Sequence, residues 1–303
     1  MSSDAAQLPD AFMQDFLSRH RLPGAFRKTA RNFYLPLAVR LPSFRHDDNP
    51  LLFGINGAQG TGKSTLADFL AKAAEELFGW RTAVLSIDDF YLTRAERQVL
   101  ARDVHPLYAT RGVPGTHDMS MLSNVLDRLE NLPAGAAMRL PRFDKSTDER
   151  AKESTWPTVD GPLDMVVLEG WCVGSEAQKD DAMREPVNDL EREEDADGSW
   201  RTTANEKLAV LYEPVFARLD ALVFLAAPSF EAVFRWRLEQ EQKLADATAG
   251  SAIMDESEVA RFIRFYERIT RHNLRVLPER ADVVLTLDEN HAVVAIHGRL
   301  TGI

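Results

Sequence analysis

Short, almost wholly apolar runs alternate along this chain with segments whose apolar residues recur every three or four positions. The runs 51–56, 165–168 and 221–227 have the character of strands buried on both faces, and all are far too short to span a membrane. The helical spacing predicts helices over 63–77, 119–132, 205–218, 229–245 and 255–276. Further strands are expected at 82–87, 138–143 and 281–287, with 291–297 a candidate edge strand. Strands that alternate with helices in this way imply an α/β fold: a doubly wound, mostly parallel sheet with helices on both faces. No internal repeat or heptad seam interrupts the pattern.

Four segments depart from it. Residues 1–48 carry helical patches such as Ala11 to Leu17 and a basic stretch at Arg27, Lys28 and Arg31, and read as a helical appendage covering one end of the sheet. Residues 49–303 then form the α/β domain. From 92 to 116 the chain is rich in Arg, His, Pro and Gly without periodicity, which suggests a long functional loop; 144–162 is a second polar loop. The stretch 175–199 reads as a mobile acidic insertion, with ten acids between Glu176 and Asp197 against Lys179, Arg184 and Arg192.

That stretch supplies most of the formal net charge of −11, which argues against nucleic acid or an anionic membrane as a partner. A single cysteine, Cys172, excludes an internal disulfide, and the N-terminus lacks the basic start and apolar stretch of a secretory signal. The expected compartment is cytoplasmic. Cys172 itself, beside Trp171, reads as an inert buried thiol, and Trp156, Trp171, Trp200 and Trp236 as packing residues.

The strongest chemical signal is Gly57-Ala58-Gln59-Gly60-Thr61-Gly62-Lys63-Ser64-Thr65, set between a buried strand and a helix. The glycines let several backbone N–H groups converge on one anion, and the helix N-terminus adds positive potential. Lys63 would reach the β and γ phosphates of a nucleoside triphosphate, and the Ser64 hydroxyl would ligate Mg²⁺. In open α/β sheets ligands sit beyond the carboxyl ends of the strands, so Asp88-Asp89, Arg142 to Lys145 and Glu169 should face the same crevice. Phosphoryl transfer asks the protein mainly to position groups, neutralise charge and accept a proton. Asp88 is the candidate base, and Ser64, Glu169 and Asp88 are the candidate Mg²⁺ residues.

Segment 229–255 reads as a lid whose hinge is Ala245 to Ser251, and its helix carries Arg235, Arg237 and Lys243. Arg235 and Arg237 cannot share a helix face, so one of them is expected over the γ phosphate. Tyr91, Arg111, His117, Asp118, Arg142 and Lys145 are the acceptor-site candidates; inward Arg and Lys suit a carboxylate or phosphate on the acceptor. His105 and His117 lack metal-ligand spacing with any Cys or other His, which speaks against zinc.

Together with the glycine loop, Ser86-Ile87-Asp88-Asp89-Phe90-Tyr91-Leu92-Thr93, Gly115-Thr116-His117-Asp118, Pro141-Arg142-Phe143-Asp144-Lys145-Ser146, Ser154-Thr155-Trp156-Pro157, Leu168-Glu169-Gly170-Trp171 and Phe234-Arg235-Trp236-Arg237-Leu238 resemble the plant-type D-glycerate 3-kinases and their bacterial and fungal relatives. The resemblance runs from about Phe33 to Val284 and extends more distantly to uridine kinase, phosphoribulokinase and bacterial pantothenate kinase. It implies a P-loop kinase using ATP and Mg²⁺, with Asp88 in the place of the base, Arg235 to Arg237 in the lid and Ala281 to Val283 near adenine. Nucleoside kinases follow Pro-x-Tyr-Asp with His and Arg. Here Lys145 follows Pro141-Arg142-Phe143-Asp144, which disfavours a nucleoside. The implied reaction is phosphorylation of a small hydroxy acid, D-glycerate at its 3-hydroxyl. Two alternatives stay open: a kinase for another hydroxylated metabolite, such as a pantothenate-like acid, a sugar phosphate or a nucleoside, and a non-catalytic ATP-binding regulatory protein. No Asn-Lys-x-Asp or Leu-Ser-Gly-Gly-Gln run points to a GTPase or a transporter ATPase.

Overall fold

The computed structural model describes residues 8–247 and 254–298. Its strands are β1 (Leu51–Gly57), β2 (Thr82–Ser86), β3 (Ala137–Arg139), β4 (Phe143–Asp144), β5 (Glu149–Arg150), β6 (Thr158–Asp160), β7 (Met165–Gly170), β8 (Ala221–Ala226), β9 (Val283–Leu287) and β10 (Val293–Gly298). Six of them form the central sheet in the order β10-β9-β8-β1-β7-β2, parallel throughout except for β10, the antiparallel edge strand. Alternate side chains of one strand leave the sheet on opposite faces. Phe53 and Ile55, Met165 and Val167 accordingly enter one hydrophobic core, while Leu52, Val166 and Leu168 enter a second across the sheet. This is the expected α/β arrangement, with helices on both faces.

The two edges of the sheet differ in chemistry. At the amino ends, the Asp220 carboxylate accepts from the Leu52 N–H (2.7 Å) and that of Asp282 from the Leu222 N–H (2.8 Å), so acids take up donors the ladder leaves open. At the carboxyl ends, the register places Gly170 beside Asn56 and Glu169 beside Ser86. The residues that leave β1, β2 and β7 therefore share one crevice.

Helix Lys63–Phe78 is bounded by two glycines in the left-handed region, Gly62 (φ 87°) and Gly79 (φ 67°), and Gly79 closes it by donating to the Glu75 carbonyl (2.9 Å). The N-terminal helices pack against it and reach the same face of the sheet, where Phe44 meets Phe53 of β1 at 5.8 Å. Phe16 and Tyr34 meet Phe69 edge-on, with ring centroids 5.2 and 5.4 Å apart, and Leu37 and Leu41 join the same core as Ile55 and Leu66.

Four segments differ from the sequence reading. The stretch 92–116 is not all loop: Arg94–Asp103 is a helix, started by a capping box in which Thr93 and Glu96 exchange hydrogen bonds. The strand expected over 138–143 is divided. β3 pairs with β6, and β4 with β5 between them, in two small two-stranded sheets outside the main sheet. The helix expected over 205–218 begins at Ser199 and passes through a π-helical turn, Leu208–Tyr212.

The acidic stretch, expected to be mobile, is folded against helix Glu256–Arg280. Glu191, 1% exposed, receives both Nε (2.8 Å) and Nη2 (2.5 Å) of Arg268, and Asp195 is paired with Arg201 at 2.9 Å. Charge density suggests a mobile excursion, but the counter-ions that bury these acids, Arg268 and Arg201, stand outside the stretch. The hinge expected at Ala245 to Ser251 lies largely outside the described residues, as does the side chain of Lys243. No helix among the described residues is long and apolar enough to cross a membrane.

Candidate active site

The phosphate cradle is shaped by backbone. A Cβ on Gly57 would lie 2.5 Å from Thr61 Oγ1 and 2.9 Å from Leu225 Cβ, and one on Gly60 (φ 83°) would lie 3.1 Å from Trp236 Cβ. Only glycine lets the loop close this tightly. Thr61 Oγ1 donates to the Ala58 carbonyl at 2.8 Å, and Lys63 Nζ donates to the same oxygen at 3.0 Å. The lysine is thus folded into its own loop. Burial lowers its pKa, against the opposing pull of the Glu169 and Asp88 carboxylates. Gln59 turns a buried Oε1 with no partner toward the same space, and Thr65 sits in the first turn of the helix.

Ser64 Oγ donates to Glu169 Oε1 at 2.8 Å. A hydroxyl and a carboxylate in contact, beside a phosphate cradle, are the hard oxygen donors that fit Mg²⁺. No group of three or more acidic, His or Cys side chains among the described residues would hold a metal by itself. The fit is to an ion that takes its remaining ligands from water and phosphate.

Across from the cradle, the 3₁₀ turn Ile87–Phe90 sends its two acids in different directions. Asp88 accepts from the Tyr91 hydroxyl (2.9 Å) and from Lys145 Nζ (2.5 Å). Burial pushes its pKa up, but the Lys145 charge and hydrogen bond, with His117 and Tyr91, outweigh it and hold the carboxyl below its ordinary range. Asp89 instead fastens the β4–β5 hairpin, accepting from Arg142 Nη1 and the Phe143 N–H, each at 3.2 Å; burial raises its pKa against the Arg142 charge.

Between cradle and turn lies a cavity of about 430 Å³ lined by Gln59, Lys63, Asp88, Tyr91, Glu169, Arg111, Lys145 and Arg237. Two residues that sequence reasoning missed complete its wall. Arg97, 1% exposed, donates to the carbonyls of Leu92 (3.2 Å) and Ala109 (2.9 Å) and to Asp148 Oδ2 (2.7 Å). Asp148, in the left-handed region (φ 57°), gives its other oxygen to Arg111. A single arginine therefore ties three segments around the pocket. The only sequence signal for it was the Thr93-x-x-Glu96 box, which marks the helix that carries Arg97.

No family model matches the chain. It is 35% identical over 269 residues to the uncharacterized kinase mug58 of Schizosaccharomyces pombe, covering 83% of this chain and 92% of the relative. It is 32% identical over 256 residues to the chloroplastic D-glycerate 3-kinase of Arabidopsis thaliana, covering 78% of this chain and 52% of the plant protein, about half its length. The structure of D-glycerate 3-kinase from Cryptococcus neoformans superposes with a TM-score of 0.72 at 25% identity, over 91% of this chain and 99% of the other. The chain belongs to this family of P-loop kinases.

As an ATP-dependent kinase it places the remaining candidates unequally. Of the lid arginines, Arg237 lines the cavity, lies over the Phe262 ring (5.3 Å) and pairs with Glu241, and its Nε is buried without a partner. Arg235 lies outside it, exposed and paired with Glu289. Trp236 between them packs against Gly60 and stacks on His291 (4.3 Å). Lys145 and Arg111 face the cavity, whereas His117, Asp118 and Arg142 do not.

His117 is buried behind Tyr91, with ring centroids 4.4 Å apart, and its Nδ1 meets the Tyr212 hydroxyl at 2.8 Å. Burial lowers its pKa to about 4, so it is neutral at physiological pH. Asp118 caps helix Met119–Glu130 and pairs with Arg150 at 2.8 Å. Arg142 is taken by Asp89. These three stand behind the wall and do not line the cavity. Cys172 is fully buried and its thiol pKa is raised by burial, in line with an inert packing role.

Proposed function

We propose that this kinase transfers the γ-phosphoryl group of ATP to the 3-hydroxyl of D-glycerate, giving 3-phosphoglycerate. The observation that carries the reading is that Lys63 of the cradle, Asp88 and Arg111 line one cavity. The relatives named D-glycerate 3-kinase add weight to it.

In this reading Lys63 leaves the Ala58 carbonyl to hold the terminal phosphates, and the cradle N–H groups bind the rest of the triphosphate tail. Ser64 and Glu169 would hold Mg²⁺, which neutralises charge on the phosphate oxygens. The acceptor's carboxylate exchanges with Asp148 at Arg111, where a guanidinium already grips a carboxylate. That anchor turns the hydroxyl at the other end toward Asp88. Lys145, itself exposed and 2.5 Å from the partly buried Asp88, would extend its charge to the oxygens of the incoming ligand while staying beside that carboxylate. Asp88 is ionised at neutral pH and accepts the hydroxyl proton. A carboxylate of low basicity suffices, because a loose phosphoryl-transfer transition state leaves the proton in place until late. Arg237 would complete the positive surround of the moving group.

The test is ATP consumption with a panel of hydroxy acids, pentose phosphates, pantothenate and nucleosides. Turnover with D-glycerate well above the other acceptors is expected. Indifference to D-glycerate beside rapid turnover of another acceptor would overturn the substrate assignment, and no turnover with any acceptor would favour a regulatory ATP-binding role.

A further inference from the structure

A second cavity, of about 400 Å³, shares no lining residue with the kinase cavity. Helix Met119–Glu130 forms one side of it, β3 and the chain leading to β4 another, and β5 a third. Three arginines from these three elements line it, Arg128, Arg139 and Arg150, against a single carboxylate, Asp118.

That carboxylate is already committed. Asp118 Oδ1 accepts from the Met121 N–H (2.9 Å) and Oδ2 from Arg150 Nη2 (2.8 Å). Arg139 reaches only the Glu153 carbonyl, at 3.5 Å, and Arg128 has no ion-pair partner among the described residues. Two uncompensated guanidinium groups thus face one cavity in a chain whose net charge is −11. Elsewhere in the molecule arginines that line or stabilise a pocket are paired, as Arg97, Arg111 and Arg237 are. The rest of the lining is largely apolar: Met121 and Val125 from the helix, Met138, Pro141 and the Trp156 ring, whose indole N–H is already spent on the Ala151 carbonyl (2.9 Å).

We propose that this cavity is a second ligand site, which takes a small organic phosphate: a dianionic phosphoryl group held between Arg128 and Arg139, with a flat apolar portion against Met121, Met138 and Trp156. Two unpaired cations match the charge of a phosphate dianion. A phosphate dianion offers three oxygens and up to two charges to guanidinium groups arriving from different elements, whereas a carboxylate brings two oxygens and a single charge. The apolar lining gives the carrier of that phosphate a surface to cover, as small-molecule sites require.

The experiment is calorimetric titration of the whole protein with phenyl phosphate, the cradle being filled with Mg²⁺ and a nonhydrolysable ATP analogue. Three proteins are compared: wild type, the double variant Arg128→Ala/Arg139→Ala, and Arg111→Ala as a control in the acceptor wall. Arg128 and Arg139 are exposed, so their loss leaves the core intact. Binding at millimolar phenyl phosphate or below is expected for wild type and for Arg111→Ala alike, weaker by at least about tenfold in the double variant. Inorganic phosphate should bind the wild type more weakly than phenyl phosphate. The proposal is overturned if the double variant binds as wild type does, if Arg111→Ala instead abolishes binding, if inorganic phosphate binds as tightly as phenyl phosphate, or if no binding occurs. All of these read binding rather than turnover, so they stand apart from the identity of the acceptor.

Discussion

In the cradle, Gly57, Gly60 and Gly62 set the shape through backbone geometry, and Lys63 folds back to rest 3.0 Å from the Ala58 carbonyl. The facing wall is built the other way, from side chains in ion pairs: Asp88 with Lys145, and Arg97 and Arg111 sharing Asp148. The first kind of site is rigid before its ligand arrives. The second is closed on itself, and its ligand must exchange with partners already in place. A kinase gains from such a division, because a backbone cradle can hold a triphosphate tail whatever the acceptor, and side-chain pairs can be changed without disturbing the sheet.

The contrast can be broken at either side. Gly57→Ala drives a methyl to 2.5 Å from Thr61 Oγ1, and overpacking of this kind costs about 1–3 kcal/mol, so ATP affinity should fall roughly 10- to 100-fold. Binding of a nonhydrolysable analogue checks it; unchanged affinity would mean that the loop is softer than its packing indicates. On the other side, Arg111→Ala removes a charge-assisted contact worth about 1.5–3 kcal/mol and should raise the KM for a carboxylate acceptor by about tenfold or more, with ATP affinity intact. A parallel loss of ATP affinity would contradict the separation of the two walls.

The smallest effect concerns the layer behind Tyr91. His117 titrates near 4 in the fold and near 6.5 when unfolded, so the unfolded chain takes up its proton first as pH falls. Its contribution to stability is complete above pH 6.5 and is lost progressively down to about pH 4. Denaturant titrations at pH 7.5 and 5.5 should show about 1 kcal/mol of acid destabilisation in wild type that is missing in His117→Phe. An equal pH dependence in the two proteins would place His117 in contact with solvent.

The same division decided what could be read from the sequence. The cradle is contiguous, and Asp88 and Glu169 directly follow apolar runs, so position along the chain fixed their place in space. Arg97 and Asp148 are 51 residues apart, and Arg97 is the sole buried residue of helix Arg94–Asp103, which leaves that helix with no apolar periodicity to find. Local polarity also misled. His117 and Asp118 carry the right chemistry for an acceptor site, but the Tyr91 ring stands in front of one and a helix terminus takes the other. The acids of 175–199 suggest a mobile insertion because Arg268, the cation that buries Glu191, lies 77 residues away. Helical geometry did anticipate that Arg235 and Arg237 would diverge, and only packing against Phe262 shows which one turns inward.

The central claim is that Asp88 serves the acceptor and Lys63 the nucleotide across one cavity. Its most direct test is Asp88→Asn, with analogue binding and D-glycerate-dependent turnover measured on the same preparation. The account predicts a fall in turnover of roughly 100- to 10,000-fold with ATP affinity nearly unchanged. Turnover at the wild-type level, or a loss of ATP affinity as large as the loss of rate, would contradict it.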